Sequence, residues 1–145
     1  MNLFFDTSAL VKKYVYENGS DKVDELLLLA DTVYVSPITG IETYSTFKRL
    51  LVDKSITRRE YELLIHEFET DYRYYSIVEF NEPVSTNAKQ LINRHQLKSL
   101  DSIQLGSVMC IKHYIAHFVA CDKKLIQAQD KLHRMYCPER SRRAR

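Results

Sequence analysis

Short apolar, β-branched or aromatic runs alternate with helical segments along nearly the whole chain, and this alternation restricts the fold more than any other feature. Asn2 to Asp6 reads as a buried strand that ends on an acid. Thr32 to Ser36, Tyr75 to Phe80 and Phe118 to Cys121 repeat the pattern, with Met135-Tyr136 as a weak last strand. A helix is expected from Ala9, where Leu10, Val11, Tyr14 and Val15 share a face. Asn18-Gly19 breaks it, and Ser20 caps a second helix running to about Ala30. Ser36-Pro37 reads as an N-cap and first-turn proline before a helix carrying Ile38, Ile41, Tyr44, Ser45, Phe47 and Leu51. Further helices open at Thr57, with Tyr61, Leu64, Ile65 and Phe68, and at Pro83, ending near His95. Ser99 caps another through His113, and a last one covers Lys123 to Leu132. Strands separated by helices imply a parallel sheet covered on both faces, hence α/β, a three-layer α/β/α single domain with a central parallel sheet.

Nothing suggests a second domain. The 145 residues suit one core, and neither an internal repeat nor a glycine- or proline-rich linker divides them. The domain is assigned to residues 1–137 and a basic tail to 138–145, where Arg140, Arg142, Arg143 and Arg145 cluster and apolar residues are few. With 45% hydrophobic and 28% charged residues, wholesale disorder is excluded. The longest apolar runs, such as Leu26 to Ala30, are too short to span a bilayer, so no membrane role is expected. Asp6 interrupts Leu3, Phe4 and Phe5, which argues against a secretory leader and for a cytoplasmic protein. Cys110, Cys121 and Cys137 have neither disulfide-framework nor zinc-ribbon spacing. A net charge of +2 decides nothing about nucleic acid; its distribution is more informative.

Where certain carboxylates fall is the sharper signal. Asp6 and Asp122 each follow a short apolar strand, in Leu-Phe-Phe-Asp and Phe-Val-Ala-Cys-Asp. In a parallel sheet ligands bind outside the carboxyl ends of the strands, so both acids belong at that edge. Asp101 falls in the first turn of its predicted helix, and Glu42 about two turns into the helix after Pro37. Four acids from distant parts of the chain can therefore converge on one cleft. Packed carboxylates repel, and burial raises some of their pKa values unless a cation intervenes. An all-oxygen site suits magnesium or manganese, which can polarise a phosphate and activate water for phosphodiester hydrolysis. Taken singly, each acid reads more readily as a helix cap or dipole partner than as a functional group. Strand-end acids also occur in phosphatase and receiver-type folds, so the residues alone leave the reaction open.

The local sequences narrow it. Asp6-Thr7-Ser8-Ala9-Leu10-Val11-Lys12 resembles the opening motif of PIN-domain nucleases, especially the VapC toxin group. Ile41-Glu42, Leu100-Asp101-Ser102-Ile103-Gln104-Leu105 and Asp122-Lys123-Lys124-Leu125 resemble the later motifs in the same order, over Leu3 to about Gln129. The resemblance implies that Asp6, Glu42, Asp101 and Asp122 are a metal-binding catalytic quartet for Mg2+ or Mn2+, with Ser8 in support. It implies an endoribonuclease that cuts RNA by a metal-activated water, a homodimer, and a cognate antitoxin protein that blocks the cleft. The alternatives within this resemblance are an RNA-processing nuclease without an antitoxin and a non-catalytic binding module. Ala120 stands where many relatives have serine or threonine, and Lys123-Lys124 follow the last acid, which leaves one or two metal ions open. Gly106 stands where alanine is usual and is expected only to loosen a helix contact. A haloacid-dehalogenase-type phosphatase would need an aspartate where Ser8 stands.

Other candidates read more plainly. His113 and His117 have i, i+4 spacing but straddle a predicted helix end, so ordinary histidines are favoured over zinc ligands. Tyr72, Tyr74 and Tyr75 can stack on bases or simply pack. Lys12, Lys13, Lys48, Arg49, Lys123 and Lys124 lie near the acidic motifs, where some can face phosphates.

Overall fold

In the computed structural model, which describes residues 1–129 and 135–136, β1 (Asn2–Phe5) is the central strand. Its apolar run explains the position. Leu3, Phe4 and Phe5 are all fully buried, which is possible only for a strand covered on both faces. Successive side chains go to opposite sides. Leu3 and Phe5 join one core cluster with Leu10, Val23, Leu26, Phe47 and Phe68, while Phe4 joins another with Leu91, Leu105, Val108, Leu125 and Ile126.

Those clusters define the outer layers. On the first face lie α1 (Thr7–Leu10) with its 3-10 extension Val11–Lys13, α2 (Ser20–Leu29), α3 (Thr39–Val52) and α4 (Arg58–Tyr72). The second face carries α5 (Glu82–His95), α6 (Ser99–Ile111) and α7 (Lys123–Gln129). The sheet between them adds β2 (Thr32–Val35), β3 (Ser76–Ile77), β4 (His117–Val119) and β5 (Met135–Tyr136) in the order β3-β2-β1-β4-β5. Every neighbouring pair is parallel, with Leu3 opposite Val33 on one side and His117 on the other. The predicted three-layer α/β/α fold is the observed one. The chain turns one way from β1 to β2 and the other way to β4, so the crevice between β1 and β4 is a topological switch point.

Several local expectations are corrected. The first helix starts at Thr7 rather than Ala9, because Asp6 caps it, and it tightens into 3-10 geometry after Leu10. Ser20 is the first residue of α2 and not its cap; Gly19 holds that position at φ 95°, left-handed backbone that glycine adopts without cost. Ser36 accepts from the Ile38 amide (3.1 Å) and closes a turn, so α3 begins only at Thr39. Ser99 likewise lies inside α6, behind Lys98. The expected strand Tyr75 to Phe80 shrinks to Ser76–Ile77, since it is an edge strand and Asn81 accepts from the Val84 amide (3.1 Å) to start α5. The end of the last helix beyond Gln129, Cys137 and the tail at 138–145 lie outside the described residues. Neither Cys110 nor Cys121 is in a disulfide. Among the described residues no helix is long and apolar enough to cross a membrane.

Candidate active site

At the carboxyl edge of the sheet a cleft of about 580 Å3 is lined by Asp6, Ser8, Glu42, Asp101 and Asp122 together. The acids arrive from four elements. Asp6 directly follows β1, and its amide donates to the Val119 carbonyl of β4 (2.9 Å). Asp122 follows β4 and caps α7, accepting from the Leu125 amide (3.1 Å). Asp101 stands in the first turn of α6, as expected. Glu42 stands in the first turn of α3 rather than two turns in, because Ser36, Pro37 and Ile38 form a turn and not helix.

Asp6 is the most deeply buried of the four. It is buried, and one carboxylate oxygen accepts both the Ser8 amide (3.1 Å) and the Ser8 hydroxyl. The Ser8 hydroxyl oxygen also accepts from the Cys121 amide (3.2 Å), which ties the end of β1 to the segment after β4. Burial pushes the Asp6 carboxyl up to about 7; the Ser8 bonds oppose that rise, and the charges of Glu42 and Asp101 add to it. A group that desolvated beside other acids is an electrostatic deficit that a divalent cation would offset. The donor set is hard oxygen throughout, as magnesium or manganese requires. Among the described residues no three acidic, histidine or cysteine side chains form a ready-made cage. Magnesium keeps several waters and needs no such cage, so the residues fit it as an open carboxylate rim.

Three residues of the site carried no individual expectation or only a weak one. Thr7 and Gln104 both bond Glu42 beneath the cleft. Their sequence signal was proximity alone, Thr7 beside Asp6 and Gln104 one helical turn after Asp101. Arg49 lines the cleft wall beside Thr46 and Leu50. Lys12, Lys13 and Lys48 do not share that role. Lys12 is buried, bonded to Glu17 (3.1 Å) and the Asn18 carbonyl (2.7 Å), and Lys13 pairs with Asp71. Lys48 sits over the Tyr61 ring. Tyr72 packs on Phe68 and Tyr75 bonds Tyr14 (2.8 Å), leaving Tyr74 as the exposed member of its trio. His113 lies in a turn and His117 in β4, with no metal cluster around them among the described residues.

The fold has close relatives in shape. At 14% identity the chain superposes on a toxin–antitoxin complex from Klebsiella pneumoniae with a TM-score of 0.68, covering 94% of this chain and 98% of that one. FitAcB from Neisseria gonorrhoeae gives 17% identity and 0.69 over 94% and 97%. VapBC2 from Rickettsia felis, bound to a DNA fragment from its promoter, gives 13% and 0.68 over 94% and 98%. No curated protein matches the chain at a significant level. The PIN domain family model matches residues 3–131, nearly the span over which the four motifs run. The chain belongs to the PIN domain family.

Proposed function

We propose that this PIN domain is a Mg2+- or Mn2+-dependent endoribonuclease, cutting single-stranded or loop RNA as the toxin of a toxin–antitoxin pair in the cytoplasm. The observation that carries the reading is the cleft in which Asp6, Glu42, Asp101 and Asp122 meet, with the Asp6 carboxyl pushed up to about 7 by burial. These four would hold the ion, which when bound supplies Lewis-acid polarisation of the scissile phosphate and activation of water. Ser8 fixes the Asp6 carboxylate through two hydrogen bonds, so its direction into the cleft is set before substrate arrives. Arg49, on the same wall, offers guanidinium donors to a phosphate oxygen of the RNA. The cognate antitoxin is supported by the toxin–antitoxin complex from Klebsiella pneumoniae among the structural neighbours. A homodimer is supported by α2, which leaves Leu28 and Leu29 88% and 58% exposed. Light scattering at micromolar concentration should give twice the chain mass, and a strictly monomeric mass would refute the dimer.

The test of the activity uses purified protein, single-stranded RNA and Mg2+. Cleavage should stop in excess chelator and return with added Mg2+ or Mn2+. Asp6→Asn and Asp101→Asn should each lower the rate about 100-fold or more, since losing one charged contact of about 3 kcal/mol corresponds to that factor. Undiminished cleavage in chelator, or near-normal cleavage by either folded variant, overturns the reading.

A further inference from the structure

Beneath the cleft, three side chains from three separate segments meet at one oxygen atom. Glu42 Oε1 accepts from the Thr7 hydroxyl (2.8 Å) and from the Gln104 amide nitrogen (2.7 Å). That nitrogen also donates to the Thr7 hydroxyl oxygen (2.8 Å), closing a triangle between α1, α3 and α6. The Gln104 amide nitrogen reaches both partners, and the Thr7 hydroxyl's short contact is the one to Glu42, its contact to the Thr39 hydroxyl being 3.5 Å.

The arrangement also fixes which way the amide faces. Turned over, Gln104 would point its carbonyl at a carboxylate oxygen, a repulsive contact. In the observed orientation the carbonyl Oε1 is buried and finds no donor among the described residues. The fold thus leaves one buried acceptor unsatisfied, which is costly, in order to aim two donors at Thr7 and Glu42. Gln104 is 1% exposed and Thr7 5%, so packing holds both donors in place. Every hydrogen bond that the Glu42 carboxylate accepts among the described residues falls on Oε1. Its carboxylate is therefore oriented from behind while the residue lines the cleft.

We propose that Thr7 and Gln104 are positioning residues which preset Glu42 for the cleft cation, and that cation affinity depends on this pair. The inference rests on the reading of Glu42 as a metal-binding acid. Partners that orient a ligand govern affinity even though they never touch the ion, and their loss weakens binding by roughly 10- to 100-fold.

Mn2+ titration followed by electron paramagnetic resonance reads the effect without requiring activity. Thr7→Val, nearly isosteric but lacking the hydroxyl, and Gln104→Leu should each weaken Mn2+ binding about 10-fold or more. Thr7→Ser, which keeps the donor, should bind like the unaltered protein. In the cleavage assay the Mg2+ concentration for half-maximal rate should rise in Thr7→Val, with the rate at saturating Mg2+ largely kept. Circular dichroism checks that each variant is folded; if Gln104→Leu does not fold, Thr7→Val carries the test alone. Folded Thr7→Val with unchanged Mn2+ affinity overturns the positioning role while leaving the metal site standing. Glu42→Gln with unchanged Mn2+ affinity overturns the metal role of Glu42 and this inference with it.

Discussion

Asp6 is an acid held where an acid is least comfortable, buried behind β1 with Glu42 and Asp101 acting on it. Its carboxyl is raised from 3.8 to about 7, so the folded state holds the proton more tightly than the unfolded chain does. The contribution to stability is therefore fully present below pH 4 and is lost as pH rises through about 7. For the metal-free protein this gives an expected fall in stability between pH 5 and pH 8, read as a lower melting temperature, of at most about 3 kcal/mol. Asp6→Asn should flatten that profile, and added Mg2+ should raise the curve at the alkaline end. A metal-free melting profile that rises across this range in the unaltered protein, or the same slope in Asp6→Asn, would contradict the account. At this scale the sequence shows its acids clearly, because a carboxylate at a strand end or in a first helical turn has a position that can be reasoned about. Thr7 and Gln104 were not legible as site residues, since a hydroxyl and an amide in those places have many ordinary uses. Lys12 departs from both of its expected roles, a solvated face and a phosphate contact, since it is buried against Glu17 and the Asn18 carbonyl.

Gly106 is where two elements depend on the smallest residue. A Cβ built there would lie 3.1 Å from the Ala88 amide nitrogen and 3.1 Å from the Val84 carbonyl oxygen, both backbone atoms of α5. In the sequence this glycine reads as loosening a helix contact; instead it lets α5 and α6 approach closely, and backbone cannot swing aside as a side chain can. Gly106→Val should destabilise by about 2 kcal/mol or more from overpacking, read as a lower urea midpoint. Gly106→Ala should cost less, because the gain in helix propensity of about 1 kcal/mol offsets part of the crowding. A valine variant as stable as the unaltered protein would show that α6 has room to move. The helix start at Thr57 was readable, and the structure shows a capping box there between Thr57 and Glu60. Ser20, Ser36 and Ser99 read as caps because serine favours that position, but each instead lies within or before its helix. The strand at Ser76–Ile77 was overestimated because β propensity does not reveal that a segment lies at an edge with one neighbour. Helix-to-helix distance leaves no trace in the periodicity of either helix, so the role of Gly106 is not legible in the sequence.

Across the whole molecule, charge is divided more sharply than a net +2 suggests. Four acids from distant segments share one cleft, whereas Lys12 and Lys13 are committed to Glu17 and Asp71. Without metal, the cleft attracts a cation of any kind that can enter it. A guanidinium is well suited, because its planar fork of donors can bridge two carboxylates and it stays charged at every working pH. Beside the cleft runs an apolar groove of about 330 Å3 lined by Tyr14, Val15, Tyr16, Ile56, Leu63 and Leu64, and Val15 belongs to both walls. Glu60 and Glu67 edge this groove, so a segment with apolar anchors and basic flanks fits it. An inhibitory partner can therefore lay such a segment along the groove and deliver an arginine to the acids, competing with magnesium for the same oxygens. The expectation is that the product of an adjacent small gene co-purifies with this chain and suppresses RNA cleavage in titration. Replacing the delivered arginine with alanine should restore cleavage while the groove contacts still hold the complex together. Raising Mg2+ should relieve inhibition by the unaltered partner but leave the binding of the alanine variant unchanged. Inhibition that survives replacement of every arginine and lysine in the partner would defeat the mechanism, as would a complex that takes up Mn2+ as tightly as the free protein does.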